Sequence, residues 1–162
     1  MQIDSYAVAV HEAGHIVIAR CLGLPIYDVT IVESGDLLGA ASFDNPVYDW
    51  RRGDGSKAVA ANNFAVAAYA GLEAEGAVCG SRSTNDLDDR IKAQECMAWG
   101  GAVRGATFSG DEHFDRAEAR LRAKAVKLVR EHRHAIERVA TALLEMKTLT
   151  ASAVDALIRD DQ

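Results

Sequence analysis

The stretch His11-Glu12-Ala13-Gly14-His15 determines how the rest of this 162-residue chain is interpreted. Its two histidines are four residues apart, so on an α-helix they lie on one face and can bind one metal ion. Glu12 lies about 100° further round the helix, where it can take a proton from a reacting water. This H-E-x-x-H pattern is typical of zinc peptidases. It predicts a zinc site with His11 and His15 as ligands and Glu12 as catalytic base.

The residues around this stretch predict the helix that the chemistry requires. Asp4 and Ser5 are N-cap candidates, small and branched apolar residues fill positions 5–21, and Gly23 ends the segment. Gly14 is locally costly inside a helix, by about 1 kcal/mol relative to alanine. Its place between the two histidines indicates that another backbone or a substrate comes close there.

Hydrophobic patterning predicts a mainly α fold with a small β-hairpin after the first helix. Residues 26–32 are rich in β-branched side chains, and residues 37–43 can return as a second strand after a turn at 33–36. Alanine-rich or amphipathic segments predict the remaining helices. These cover residues 57–79, about 85–99, 111–146 with a break near 131–134, and 150–158, and a loop covers residues 44–57.

Length, composition and charge indicate the broad class of protein. An apolar content of 49% and a charged content of 26% are ordinary for a globular chain of this length. We predict one domain over residues 1–162, with the metal site and hairpin in 1–110 and the C-terminal helices in 111–162. The net charge of −6 lacks a basic stripe, so no nucleic-acid partner is expected.

Cysteine usage and hydropathy predict a compartment. The three cysteines are odd in number and widely spaced, which favours a reduced protein. The sequence shows neither a signal peptide nor an apolar run long enough to span a bilayer. We therefore expect a cytoplasmic protein without a membrane partner.

A catalytic zinc site needs a third protein ligand, and the residues alone leave several candidates. The extension H-E-x-x-H-x-x-G-x-x-H is excluded, because Ile18 and Cys21 stand at its glycine and last-histidine positions. Glu73 and Glu75 lie on the alanine-rich helix and would suit a glutamate-ligand site. Asp86 lies at the start of the next helix, where a carboxylate is also favoured simply by the helix dipole.

The chain resembles the zinc peptidase domain of the FtsH-type AAA+ metalloproteases, which use the HEAGH form of the motif. Four further stretches resemble that family's strand–loop–strand, its G-G-R-x-A-E-E helix, its S-N-D-L segment and its closing helical stretch, in the same order. They are VTIVESGDLLGAASF (29–43), YAGLEAEGAVCG (69–80), STNDLDDRIKA (83–93) and ALLEMKTLTASAVDALI (142–158).

The resemblance implies a helical zincin-like peptidase domain with one Zn²⁺ ion. Matched residue by residue, its zinc ligands are His11, His15 and Asp86, and its catalytic base is Glu12. The glutamate of the family's A-E-E helix corresponds to Glu75, which could hold a ligand histidine from behind.

Three departures from the family limit what is expected. Leu72 stands at the arginine position, Gly76 stands at the second acidic position, and Gly71 is the one glycine left of the pair. The family's ATPase domain and membrane anchor have no counterpart in this sequence. We therefore expect peptidase chemistry that is independent of ATP on this chain.

The sequence thus predicts a zinc-dependent endopeptidase that hydrolyses peptides or unfolded proteins. The hairpin could offer an edge to an extended peptide, but no substrate-binding residue is predicted. A separate ATPase or regulatory partner, and a homo-oligomer, are compatible with this function. The alternative is a non-catalytic, peptidase-like module that binds or regulates another protein, and a zinc hydrolase of another amide is a third reading.

Overall fold

The computed structural model describes residues 4–48, 54–84, 86–103 and 112–159. These residues form a mainly helical fold with a small antiparallel sheet. No helix among them is both long and apolar enough to cross a membrane. The helices are α1 (Ser5–Cys21), α2 (Asp54–Cys79), α3 (Leu87–Val103), α4 (Glu112–Glu131), α5 (Arg133–Met146) and α6 (Ala151–Arg159), and the strands are β1 (Ile26–Thr30), β2 (Ala40–Phe43) and β3 (Thr148–Thr150).

Helix α1 has the bounds that the sequence predicted. Asp4 caps it, because its Oδ1 accepts the backbone N–H groups of Tyr6 and Ala7 at 3.0 and 3.4 Å. Gly23, with φ 76°, takes the left-handed conformation that ends the segment. From residue 9 to residue 19 every side chain except half-buried His11 is buried. The HEAGH stretch therefore lies on a helix that is largely buried in the core.

The predicted hairpin is present, with shorter strands than expected. Strands β1 and β2 pair antiparallel, and a bridge between Ser34 and Leu37 closes part of the connection between them. The sequence missed the third strand. Leu149 of β3 pairs with Val29 of β1, so the strand order is β2-β1-β3. The C-terminal part is therefore not helical throughout, and it completes the sheet next to α1.

The remaining helices agree with the patterning apart from their ends. Helix α2 begins three residues before its predicted start, and a short 3-10 turn at Pro46–Tyr48 occupies part of the predicted loop. Helix α3 extends four residues beyond its predicted end, and the predicted starting residue 85 lies outside the described residues. The break near 131–134 is confirmed at His132, between α4 and α5.

Helices α1 and α2 are in close contact at Gly14. A Cβ atom built on Gly14 would lie 2.7 Å from the Cβ of Ala74 and 2.8 Å from the carbonyl oxygen of Ala70. Carbon atoms do not pack that closely, so only glycine allows this crossing. The backbone that the sequence predicted near Gly14 is therefore that of α2.

Substitution of Gly14 by alanine tests this crossing. The added methyl group would overpack the interface, so Gly14→Ala should lower the free energy of unfolding by about 1–3 kcal/mol. Gly100→Ala is the matched control, because a Cβ there would meet its nearest atom at 3.5 Å, an ordinary contact. Higher helix propensity should leave that variant unchanged or more stable by up to about 1 kcal/mol. Urea unfolding measures both, and equal stability of the two variants would contradict the close crossing.

Candidate metal centre

Three side chains from two helices converge on one point. The Nε2 atoms of His11 and His15 are 2.9 Å apart, and Oδ2 of Asp89 lies 3.1 Å from the first and 3.2 Å from the second. Among the described residues these three form the one group of histidine, cysteine and carboxylate side chains arranged to hold a metal ion. The site joins α1 to α3.

The opposite side of each imidazole ring is fixed by a group that can only accept a hydrogen bond. Nδ1 of His15 donates to the carbonyl oxygen of Ala67 at 2.8 Å, and Nδ1 of His11 donates to Oε1 of Glu75 at 2.5 Å. These partners assign the neutral-ring proton to Nδ1 in both histidines. Both Nε2 lone pairs then point toward Asp89, an arrangement that is repulsive unless a cation lies between them.

Helix α2 forms the wall behind both histidines. Ala67, Gly71 and Glu75 are four residues apart and therefore share one face of the helix. A Cβ atom on Gly71 would lie 2.4 Å from Nε2 of His15 and 2.8 Å from Nε2 of His11. A side chain at position 71 would displace the rings, so glycine is required for the histidines to meet.

Glu75 is buried and receives hydrogen bonds from two residues. Besides the bond from His11, its Oε2 accepts the backbone N–H of Ser83 at 2.6 Å and its Oε1 accepts the Ser83 hydroxyl at 2.9 Å. Burial alone would raise the pKa of Glu75, but the hydrogen bonds from His11 and Ser83 outweigh it, so the pKa is lowered. The contact is the kind that the sequence predicted for Glu75. Its effect on a bound metal stays a prediction.

The third side chain of the group is that of Asp89, whereas the resemblance implied Asp86 as the third ligand. Helix α3 begins at Leu87, and the carbonyl of Asp86 accepts the N–H of Arg90 to open its first turn. Asp86 and Asp89 are three residues apart, so they occupy similar faces one turn apart along the axis. The turn at which α3 passes the histidines therefore selects Asp89. Asp86 is half-buried and lies outside the group.

The remaining predicted candidate, Glu73, does not reach the histidines. Its Oε2 instead accepts a hydrogen bond from Arg82 at 2.5 Å, in the connection between α2 and α3. The two glutamates of α2 thus have separate partners. Glu75 faces the metal site and Glu73 faces the following segment.

Glu12 lies beside the histidines without being one of the converging ligands. It is 8% exposed, and no residue described by the structure donates a hydrogen bond to its carboxylate. Burial raises the pKa of Glu12. The positive charges of His15 and His11 lower it, but by less, so the pKa remains raised. A Cβ atom on Gly39 would lie 2.8 Å from Cγ of Glu12, so the segment leading into β2 packs directly against this side chain.

Without a metal the site binds a proton tightly. Burial lowers the pKa of His11, but the hydrogen bonds that His11 donates to the carboxylates of Asp89 and Glu75 outweigh this effect and raise the pKa to about 10. The same neighbours act on Asp89 in the opposite direction, and its pKa lies well below the usual range despite burial. A proton on His11 therefore supplies the positive charge that a metal ion would otherwise provide.

No protein-family model matches this chain, and no curated protein is detectably similar to it. The geometry of the described side chains therefore carries the functional argument. The resemblance to FtsH-type peptidases stays a prediction.

Four residues of the site were not predicted from sequence. Asp89 was hidden among the three closely spaced aspartates of the NDLDD segment. Ala67 acts through its backbone carbonyl and leaves no side-chain signal. Gly39 and Ser83 belong to stretches that resemble the peptidase family, and a glycine between the two strands was a usable sign of close approach.

Paired substitutions distinguish Asp89 from Asp86. Asp89→Asn should weaken zinc binding more than about 100-fold. Loss of a residue that only hydrogen-bonds a ligand typically lowers metal affinity about 10- to 100-fold, and loss of the ligand itself should cost more. Asp86→Asn, an equal change of charge one turn away, should stay within about threefold of the unchanged protein. Zinc competition against a chelating dye measures both affinities. Stronger weakening by the Asp86 substitution would move the third ligand back to that residue.

Zinc affinity should fall as the pH falls. The pKa of His11 in the metal-free protein is about 10, compared with 6.5 for an ordinary histidine. A metal ion that binds below this pH must therefore displace a proton. Apparent affinity should therefore drop about tenfold per pH unit between about pH 9 and pH 7, with about one proton released per ion. Titration calorimetry in buffers of different ionisation enthalpy counts the protons.

The matched variant for this measurement is Glu75→Gln. It weakens one of the two acceptors that raise the pKa of His11, so it should release fewer protons at pH 9. An affinity independent of pH over this range would contradict the assignment of the proton to His11.

Proposed function

We propose that this protein is a zinc-dependent endopeptidase of the zincin-like, FtsH-type class. One observation carries the proposal. Two imidazole lone pairs, each fixed from behind by an acceptor, converge with the Asp89 carboxylate while Glu12 lies unpaired beside them. This combination supplies three metal ligands and a separate proton acceptor, which hydrolytic metal sites require.

The donor set fits zinc. Two imidazole nitrogens and one carboxylate oxygen are typical of catalytic zinc sites, whereas Mg²⁺ and Ca²⁺ prefer oxygen ligands. Bond lengths of about 2.0–2.1 Å place tetrahedral zinc ligands about 3.3 Å apart. The observed separations of 2.9, 3.1 and 3.2 Å are within a few tenths of an ångström of this value. Two histidines and one carboxylate also suit Fe²⁺, and elemental analysis of the purified protein separates the two metals.

A bound zinc ion would act as a Lewis acid on the scissile carbonyl and make a neighbouring water more acidic. Glu12 supports this chemistry as general base, accepting the proton of the attacking water and returning it to the departing amine. Burial suits Glu12 to that role, because it raises the pKa of the carboxyl above its ordinary value and so makes the carboxylate a stronger base. Glu75 and Ala67 keep the two imidazole rings in their binding orientation.

Strand β2 is a suitable binding edge for an extended peptide. It lies at one edge of the sheet, since the strand order is β2-β1-β3. It begins directly after Gly39, which packs against Glu12. A peptide that adds to this edge as a further strand would run past the catalytic carboxylate. The enzyme would then select extended, flexible or unfolded chains, alone or with a separate ATPase that delivers them.

The contact between Gly39 and Glu12 also favours a second function. Because Gly39 packs against Glu12, the space at the base is restricted, as it would be in a module that binds a partner without cleaving it. Such a module could regulate another protease. It would bind zinc and show no chelator-sensitive cleavage.

Substitution of Glu12 separates these functions. Glu12→Gln should retain zinc and lose cleavage of casein, a loosely folded substrate, by about 10²- to 10⁴-fold, because it removes the proton acceptor and keeps the shape. Glu95→Gln, an exposed glutamate on α3, is the control and should leave cleavage unchanged. Cleavage is followed by fluorescence of labelled casein, with zinc content measured in parallel.

Undiminished cleavage by the Glu12 variant would eliminate the peptidase mechanism. Absence of cleavage by the unchanged protein loaded with zinc would favour the binding module.

A further inference from the structure

Just after α2, Arg82 and Ser83 contact side chains of the last turns of that helix, and Ser83 reaches the candidate metal site. Its backbone N–H and its hydroxyl bind different oxygens of Glu75, at 2.6 and 2.9 Å. Oε1 of Glu75 accepts both the Ser83 hydroxyl and the Nδ1 proton of His11. A chain of hydrogen bonds therefore runs from Ser83 through Glu75 to His11.

These bonds restrict the Glu75 carboxylate to one orientation. A glutamate side chain has several rotatable bonds, and fixing them costs about 1.5–2 kcal/mol in entropy. Hydrogen bonds to an ionised acceptor are stronger than neutral ones and can offset this cost. Among the described residues, His11 and Ser83 are the donors to this carboxylate. Ser83 therefore determines where the acceptor for the His11 ring lies.

A second contact anchors the same segment without touching Glu75. Arg82 donates to Glu73 at 2.5 Å, and its side chain lies over Gly76, where a Cβ atom would come within 2.8 Å of Nε. This contact gives a physical reason for glycine at a position where the peptidase family has an acidic residue. Arg82 thus serves as a comparison for Ser83, because it holds the segment in place but makes no bond to the His11–Glu75 pair.

We propose that Ser83 is a positioning residue for the metal centre, acting through Glu75 on His11. This inference rests on the proposed metal site and assigns to Ser83 a role that the HEAGH motif does not contain. Its effect is on metal affinity and on the ligand field at the ion. It is independent of whether the protein cleaves peptides.

Metal binding by four proteins tests the proposal: the unchanged protein, Ser83→Ala, Ser83→Thr and Arg82→Ala. Zinc affinity is measured by chelator competition, and the visible absorption spectrum of the Co²⁺-substituted protein reports the ligand geometry. Ser83→Ala keeps the backbone bond and loses the hydroxyl bond, so affinity should fall about tenfold, with a shifted Co²⁺ spectrum. Ser83→Thr restores a hydroxyl and should return affinity to within about threefold. Arg82→Ala should also stay within about threefold, because an exposed ion pair contributes little.

Ser83→Asp adds a stronger form of the same test. It places a carboxylate against Glu75, and repulsion between like charges should weaken zinc binding more than the alanine substitution does. Ser83 is exposed, so these variants are expected to fold, and thermal unfolding of each metal-free protein checks this.

Three results would overturn the role of Ser83. The first is an alanine variant with unchanged affinity and spectrum. The second is equal weakening by Arg82→Ala and Ser83→Ala without rescue by threonine, which would assign the effect to attachment of the segment. The third is tighter binding by the aspartate variant. Failure of the unchanged protein to bind either metal would instead refute the proposed metal site itself.

Discussion

The close approach of α1 and α2 is the constraint on which the site depends. Gly14 allows the backbone of α2 to lie against α1, and Gly71 leaves room for the two imidazole rings on the facing side. Both glycines lie inside helices, where each costs about 1 kcal/mol relative to alanine. The burial of the alanine-rich surfaces on either side offsets that cost. With a larger residue at either position, the histidines and their partners on α2 would move apart.

This approach also determines the electrostatics of the site. Because one face of α2 carries both the Ala67 carbonyl and the Glu75 carboxylate, each histidine has its proton held on the side away from the cluster. The charge of Glu75 is in turn stabilised by Ser83, at the point where the chain leaves α2 for α3. Ser83 therefore supports, through Glu75, the position of His11, and it precedes the helix that carries Asp89.

Local sequence patterns predicted the helices and the convergence of His11 and His15. The bounds of α1 follow from Asp4 and Gly23 at its two ends, and the break at His132 falls inside the predicted range 131–134. Two features depend on distant parts of the chain and were missed. Strand β3 has three residues, and its pairing with β1 spans about 120 positions of sequence. Asp89 rather than Asp86 meets the histidines because of where α3 passes them. The local sequence has three nearby aspartates and does not indicate which of them faces the histidines.

The placement of Asp89 has a consequence for the folded state as a whole. Helices α1 and α3 each pack against α2, and the contact between His15 and Asp89 joins them across a sequence separation of 74 residues. An ion held there would act as a reversible cross-link that closes a long loop, and it would favour the folded chain in proportion to its own concentration. On removal of the ion, a protonated His11 would still donate to Asp89 across 3.1 Å, so a hydrogen bond would take the place of the coordinated ion between α1 and α3.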